Sequence, residues 1–282
     1  MILVTGASGQ LGRLVIEELL TTVPADEIIA AVRSPEKVQD LADKGVVVRE
    51  ADYARPETLT AAFAGVDKAL LISSSEIGQR TAQHKAVIDA AKTNAVQLLA
   101  YTSLLRADTS PMQLAEEHKA TEAYLEKSGV PHVILRNGWY TENYAMGVGT
   151  ALQLGAVFGC AGEGKISSAA RADYAAAAAK VLTLDNQAGK IYELAGDKAY
   201  TLSEFAETVS ELTGKSIAYQ NLSEADYAKA LVDAGLPEGF AAILADSDTG
   251  VSNGHLFENS GQLASLIGRP TTPLTEVIKA FL

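Results

Sequence analysis

Three glycines punctuate the segment Leu3-Val4-Thr5-Gly6-Ala7-Ser8-Gly9-Gln10-Leu11-Gly12. An apolar run, residues 1–4, leads into them, and Leu11, Val15, Ile16, Leu19 and Leu20 follow at helical spacing. Strand, glycine turn and helix together make a site for a pyrophosphate. Glycine lets the backbone turn tightly and come close to phosphate oxygens. The free N–H groups of the helix N-terminus then meet the negative charge. Gly6, Ala7, Ser8, Gly9, Gln10, Leu11 and Gly12 are the candidate phosphate-binding residues. The spacing is GxxGxxG rather than GxGxxG, so its position between a strand and a helix carries the signal.

A second apolar run, Ile28-Ile29-Ala30-Ala31-Val32, ends at Arg33, with Lys37 one turn on. Roughly 20 residues past the glycines, a chain that binds NAD places an acid for the ribose hydroxyls. A guanidinium there would instead grip the 2′-phosphate of NADP, so the cofactor expected is NADP(H). A solvated arginine after a strand is the plainer alternative.

Other groups fall at the ends of later apolar runs. Asp52-Tyr53 could meet an adenine or simply start a turn. Ser73, Ser74 and Ser75 offer small side chains and hydroxyl donors beside a cofactor, or a serine-rich turn. Asn137, Gly138, Trp139, Tyr140, Thr141 and Glu142 combine amide, glycine and aromatic groups suited to a nicotinamide and a flat substrate. None of the ten tyrosines has a lysine four residues later, so the Tyr-x-x-x-Lys pair of short-chain reductases is missing. The segment that should carry it holds His118, on one helical face with Leu114, Thr121 and Leu125. That histidine is a candidate proton donor or a buried core residue. Reduction of an ordinary ketone makes a strongly basic alkoxide, whereas reduction of a quinone makes a phenolate-type anion whose acid has a pKa of roughly 10. A site without a strong acid therefore suits quinones and other electron-poor acceptors, by direct hydride transfer without flavin or metal.

The elements that position these groups alternate. Strands are expected at 1–5, 28–32, 46–50, 68–73, 97–102, 132–136 and 191–194, with helices at 10–20, 35–43, 56–62, 79–93, 114–127 and 172–184. This is a Rossmann-type doubly wound α/β chain with a mostly parallel sheet. Residues 1–139 form the expected NADP-binding domain. Residues 140–282 form a smaller substrate lobe, of which 172–195 return to the sheet and 202–213 and 223–234 are helical. The glycine-rich stretch 155–164 shows no period. A substrate is expected in a cleft at the carboxyl ends of the strands.

Composition narrows the class. The 282 residues carry a formal net charge of −12, against nucleic acid as a partner. The single cysteine, Cys160, allows no internal disulfide and fits a reducing, cytoplasmic setting. No run is long enough for a bilayer span, and the opening run is too short for a signal peptide. His84, His118, His132 and His255 lack metal-ligand spacing. The expected partners are a small quinone or aromatic acceptor and, at most, a second copy of the chain.

The chain resembles the NmrA-like branch of the atypical short-chain dehydrogenases/reductases over essentially its whole length. The resemblance rests on the glycine segment, Val32-Arg33, Leu71-Ile72-Ser73-Ser74-Ser75, Tyr101-Thr102-Ser103-Leu104-Leu105, Leu135-Arg136-Asn137-Gly138-Trp139-Tyr140, Tyr192-Glu193-Leu194-Ala195-Gly196 and Ile267-Gly268-Arg269-Pro270-Thr271-Thr272-Pro273-Leu274. It implies NADPH-dependent reduction of quinones. Gly6 to Leu11 would lie on the pyrophosphate, Arg33 on the 2′-phosphate, Ser73 to Ser75 by the ribose and Asn137 to Glu142 by the nicotinamide. Arg171-Ala172-Asp173-Tyr174 would border the same cleft. Relatives that reduce plant phenolics carry lysine where this chain has His118. The same resemblance admits a dinucleotide-binding redox sensor of the NmrA type, or a reductase of triphenylmethane dyes or enones.

Overall fold

The computed structural model describes residues 1–282 in two compact units. The first comprises Met1–Leu104, Glu117–Asn137 and Arg171–Tyr192; the second comprises Leu105–Glu116, Gly138–Ala170 and Glu193–Leu282.

Seven strands form the main sheet: β1 (Ile2–Thr5), β2 (Ile28–Val32), β3 (Val47–Glu50), β4 (Lys68–Leu71), β5 (Leu98–Leu104), β6 (His132–Asn137) and β8 (Ile191–Leu194). Their order is β3-β2-β1-β4-β5-β6-β8. The pairs from β3 across to β6 are all parallel. The direction of winding reverses between β1 and β4, the place where an open α/β sheet leaves a crevice for a ligand. Strands β2 and β5 are buried throughout, which is why they read as unbroken apolar runs rather than alternating ones.

The helices of this unit are α1 (Gln10–Leu19), α2 (Gln39–Asp43), α3 (Pro56–Ala62), α4 (Arg80–Thr93), most of α5 (Gln113–Ser128) and α8 (Arg171–Thr183). Helix α8 packs against α1 and on β4 and β5. Ala175, Ala176, Ala177, Ala178 and Ala179 are all buried, so the alanine run lets the backbones approach closely.

Two boundaries depart from the sequence reading for visible reasons. Pairing of β4 stops at Leu71 rather than 73, because side-chain hydroxyls take over the next amides. Ile72 N–H donates to Thr5 Oγ1 (3.0 Å) and Ser73 N–H to Thr102 Oγ1 (2.9 Å). The single helix expected over 35–43 is a 3₁₀ turn, Pro35–Val38, followed by α2, with Val38 off helical geometry (φ −130°, ψ 30°).

The second unit contains α6 (Thr141–Ala145), α7 (Val148–Leu154), β7 (Ala156–Gly159), α9 (Leu202–Thr213), β9 (Ala218–Asn221), α10 (Glu224–Asp233), α11 (Glu238–Ser252), α12 (Gln262–Ile267) and α13 (Leu274–Lys279). Strands β7 and β9 pair in parallel as a separate two-stranded sheet. Strand β7 lies inside the glycine-rich stretch, where four residues carried no readable period. Helix α9 opens on a full capping box between Thr201 and Glu204. No helix is long and apolar enough to cross a membrane.

Candidate functional site

The glycine turn sits between β1 and α1, and its three glycines are there for different reasons. Gly6 has φ +59°, a conformation that disfavours any side chain. Gly12 has ordinary dihedrals, but a Cβ on it would lie 2.5 Å from the Gly6 carbonyl oxygen and 2.8 Å from Ala7 Cα. It holds the helix against the turn. Gly9 needs neither: it is the extended N-cap of α1 (φ −79°, ψ 169°), and a Cβ there would meet only Gly6 O, at 3.2 Å. Its missing side chain leaves space above a helix N-terminus that has no side-chain cap, where a phosphate can meet the first amides.

Below the turn, Thr5 donates to the Leu70 carbonyl (3.0 Å) and accepts from Ile72 N–H. The Tyr53 hydroxyl lies 2.5 Å from Thr5 Oγ1 and 2.8 Å from the Ile72 carbonyl oxygen, and burial pushes its pKa far above the ordinary value. Tyr53 thus ties the ends of β1 and β4 together as the floor of the turn. Its neighbour Asp52 accepts from Ala54 N–H (2.9 Å), which places it in a turn leading to α3.

Arg33 follows β2 with 68% of its side chain exposed and pairs with Glu76 at 3.0 Å. Glu76 also accepts from Gln83 Nε2 (2.7 Å), and its own N–H donates to Ser74 Oγ (3.1 Å). An exposed ion pair of this kind contributes little, so the guanidinium is available to a phosphate at low cost. Lys37 lies nearby in the sequence, and its carbonyl accepts from Arg13 (2.7 Å), linking α1 to this edge.

At the end of β4 much of the backbone of the serine loop is already committed. Ser73 N–H goes to Thr102, Ser74 N–H to His84 Nε2 (2.9 Å), and the Ser74 carbonyl accepts from Arg80 Nε (2.5 Å). The donors that this loop can offer a ligand are therefore the hydroxyls of Ser73, Ser74 and Ser75 and the Ser75 N–H.

Behind this loop lies a buried set of rings. His84 Nδ1 is 2.9 Å from Thr121 Oγ1, and the Tyr101 hydroxyl is 2.7 Å from His118 Nδ1. The rings of His84 and His118 flank Tyr101, with centroids 5.4 and 5.9 Å from it. His118 is 5% exposed and His84 fully buried. Burial, helped by the Arg80 charge, lowers both imidazoles to about 3, so both are neutral at physiological pH. Burial also raises the Tyr101 hydroxyl well above its ordinary value.

One strand further, Arg136 on β6 makes a two-pronged pair with Glu122 on α5 (Nε 3.0 Å, NH2 2.7 Å), and Ser103 Oγ donates to the same carboxylate (2.5 Å). Both charged side chains are at least nine-tenths buried. They fix the ends of β5 and β6 beside Asn137, whose Oδ1 is buried without a hydrogen-bond partner. A buried acceptor left open in this way fits the N–H of an incoming ligand amide.

The remaining candidates divide between the units. Arg171 begins α8 in the first, while Gly138, Trp139, Tyr140, Thr141 and Glu142 belong to the second. There, Gly138 N–H donates to the Leu194 carbonyl (2.7 Å), and Ala169 N–H donates to that of Trp139 (3.1 Å). Thr141 Oγ1, Ser168 Oγ and the Tyr200 hydroxyl form a chain at 2.8 and 2.6 Å. The second unit also holds a buried carboxyl, Asp248 on α11, which accepts from Cys160 N–H and from the Tyr144 hydroxyl, both at 3.1 Å. Burial pushes its pKa up to about 6. Cys160 is 8% exposed, its Sγ lies 3.3 Å from the Ala245 carbonyl, and burial raises the thiol to about 11.

The sequence reading did not single out the contacts of His84, Tyr101 and Thr121, the Glu122–Arg136 pair or the buried Asp248. No spacing marks them, because partners 14 to 104 residues apart meet only in the folded chain.

A glycine cradle at a helix N-terminus, a cation at the end of the next strand and an unpaired, buried amide acceptor at the end of β6 together fit a phosphorylated dinucleotide. The family comparison agrees: a model described as NAD(P)H-binding matches residues 6–185. Quinone oxidoreductase 2 of Escherichia coli (strain K12) is 56% identical over 278 residues, covering 99% of this chain and 97% of that protein. The crystal structure of the E. coli NADPH-dependent quinone oxidoreductase QOR2, complexed with NADPH, matches with a TM-score of 0.97 over 99% of both chains at 56% identity. The Citrobacter sp. triphenylmethane reductase complexed with NADP(H) matches with a TM-score of 0.96 over both full chains at 41% identity. The negative transcriptional regulator NmrA, 14% identical with a TM-score of 0.74, shares the fold. With the model spanning well over half of the sequence and a full-length relative at 56% identity, the chain belongs to the NAD(P)H-binding family.

Proposed function

We propose that the protein is an NADPH-dependent reductase that passes a hydride to quinones or similar electron-poor aromatic acceptors. Gly6, Ala7, Ser8, Gly9, Gln10, Leu11 and Gly12 would hold the pyrophosphate, Arg33 the 2′-phosphate, and the Ser73, Ser74 and Ser75 hydroxyls the ribose side. Asn137 Oδ1 would meet the nicotinamide amide, and Gly138, Trp139, Tyr140, Thr141, Glu142 and Arg171 are the further candidates for the nicotinamide and the acceptor. Bound NADPH supplies the hydride.

The protonation of His118 carries the choice of acceptor. At the place where a short-chain reductase needs an acid, this chain holds an imidazole lowered to about 3, bonded to a tyrosine that does not ionise. Neither group gives up a proton readily at pH 7, so an alkoxide would form without a donor. A quinone avoids that requirement, because its reduced anion is no more basic than a phenolate and takes its proton from water. The E. coli relative that acts on quinones supports the same class. A cytoplasmic location fits the single, buried thiol, and all the groups named come from one chain.

The test is steady-state NADPH oxidation by the pure protein with a panel of quinones, triphenylmethane dyes and simple ketones. Turnover of quinones without turnover of ketones is expected. Tight NADPH binding with no turnover of any acceptor would instead favour a dinucleotide sensor.

A further inference from the structure

The hydrogen bonds around the two buried histidines determine where their protons sit. The Ser74 amide can only donate, so His84 Nε2 accepts. A neutral ring then carries its proton on Nδ1, which donates to Thr121 Oγ1 (2.9 Å). Thr121 passes its own proton to the Glu117 carbonyl (2.8 Å). Its oxygen thus donates once and accepts once, and the Tyr101 hydroxyl is not among its hydrogen-bond partners. The buried Tyr101 hydroxyl must also donate somewhere, and the one group it is hydrogen-bonded to is His118 Nδ1, at 2.7 Å. That leaves the His118 proton on Nε2. This nitrogen has no partner in the protein and, unlike Asn137 Oδ1, is not sealed from solvent.

We propose that the bonds from Ser74 and Tyr101 fix opposite tautomers on His84 and His118, and that Tyr101 is a positioning residue which leaves the His118 Nε2–H as a fixed, uncharged hydrogen-bond donor to the oxygen of the acceptor. The substrate named here rests on the reductase reading; the tautomers do not. Hydride arrival places negative charge on a quinone oxygen, and a donor already aimed there stabilises it without reorganising. The ring keeps its proton throughout. The proton that completes the hydroquinone comes from water.

The experiment uses the full chain labelled with ¹⁵N-histidine, with the ring signals of His118 and His84 assigned by single substitution and followed from pH 8 to pH 5. The expected spectrum has His118 as the Nε2–H form and His84 as the Nδ1–H form, both unchanged over that range. A His118 in the Nδ1–H form, or an imidazolium at pH 7, would overturn the proposal whether or not the protein reduces quinones. Tyr101→Phe should mix the His118 tautomers and lower kcat for a quinone about 3- to 10-fold, the worth of one neutral hydrogen bond, with NADPH affinity unchanged. The double variant with His118→Leu should be no slower than His118→Leu alone, since Tyr101 acts through His118. Additive losses, or an unaltered His118 tautomer in Tyr101→Phe, would remove Tyr101 from this role. If Tyr101→Phe does not fold, the wild-type spectrum still decides the tautomers.

Discussion

Alanine placed in turn at Gly6, Gly9 and Gly12 should separate folding from cofactor binding within seven residues. At Gly12 the new Cβ meets backbone atoms at 2.5 and 2.8 Å. Backbone cannot rotate away, so α1 must move, at about 1–3 kcal/mol for an overpacked site. At Gly6 the space is open, with the nearest atom 3.7 Å away, but φ is +59°, which costs an L-residue about 1–2 kcal/mol. At Gly9 the dihedrals suit any residue and the one close atom lies at 3.2 Å. The folding cost there is about 1 kcal/mol, mainly the poorer N-cap. The methyl group nevertheless stands where a phosphate approaches the first amides of α1. Losing one charge-assisted hydrogen bond costs about 1.5–3 kcal/mol, or roughly 10- to 150-fold in affinity. Urea unfolding and NADPH fluorescence titration of the three variants give the two quantities independently. Gly9→Ala should show the smallest loss of stability and a loss of binding of at least tenfold. NADPH affinity within twofold of wild type in a folded Gly9→Ala protein would show that the glycine turn does not hold the pyrophosphate.

Arg33→Asp should weaken NADPH binding by about 10- to 150-fold while leaving NADH within a few-fold, as read by parallel titrations; equal losses would remove Arg33 from the 2′-phosphate. Glu122→Leu should destabilise the protein by about 3–5 kcal/mol in urea unfolding, because it strands a buried guanidinium, whereas a loss below 1 kcal/mol would mean that solvent reaches Arg136. Asp248, with its pKa raised to about 6 in the folded chain from 3.8, binds more protons folded than unfolded between those values. Its contribution therefore falls as pH rises from about 4 to 6, by about 3 kcal/mol, and stays low above. Asp248→Asn lacks that slope, so its stability relative to wild type should rise over the same window; parallel stability curves would contradict the burial effect.

The order of elements was readable because the strands are short apolar runs cut by glycine, serine or charge. Arg33 could be placed at the end of β2 for the same reason, since Ile28–Val32 is apolar throughout and the first polar residue must leave the sheet. The orientation of His118 followed from helical spacing alone. The bonds its ring makes did not, because Tyr101 and His118 are 17 residues apart and meet only when α5 lies on β5. Glu122 reads as one more charge on an exposed helix, and its burial comes from Arg136 on β6. Asp248 likewise reads as a polar position on α11. It is buried because Gly159 has no side chain: a Cβ there would lie 2.6 Å from its Oδ2. The β7–β9 pair escaped because strands of four residues have too little length to show alternation.

Cys160 bears on how such a protein would survive its own substrates. Quinones are electrophiles that add covalently to sulfur, and the attacking species is the thiolate. With its pKa raised to about 11, roughly one Cys160 side chain in 10⁴ is ionised at pH 7. The rest are buried thiols beside the Ala245 carbonyl. No other residue in the chain carries sulfur in this reactive form. An enzyme working amid alkylating acceptors thus presents almost no sulfur nucleophile to them while it stays folded, and unfolding is what would expose one.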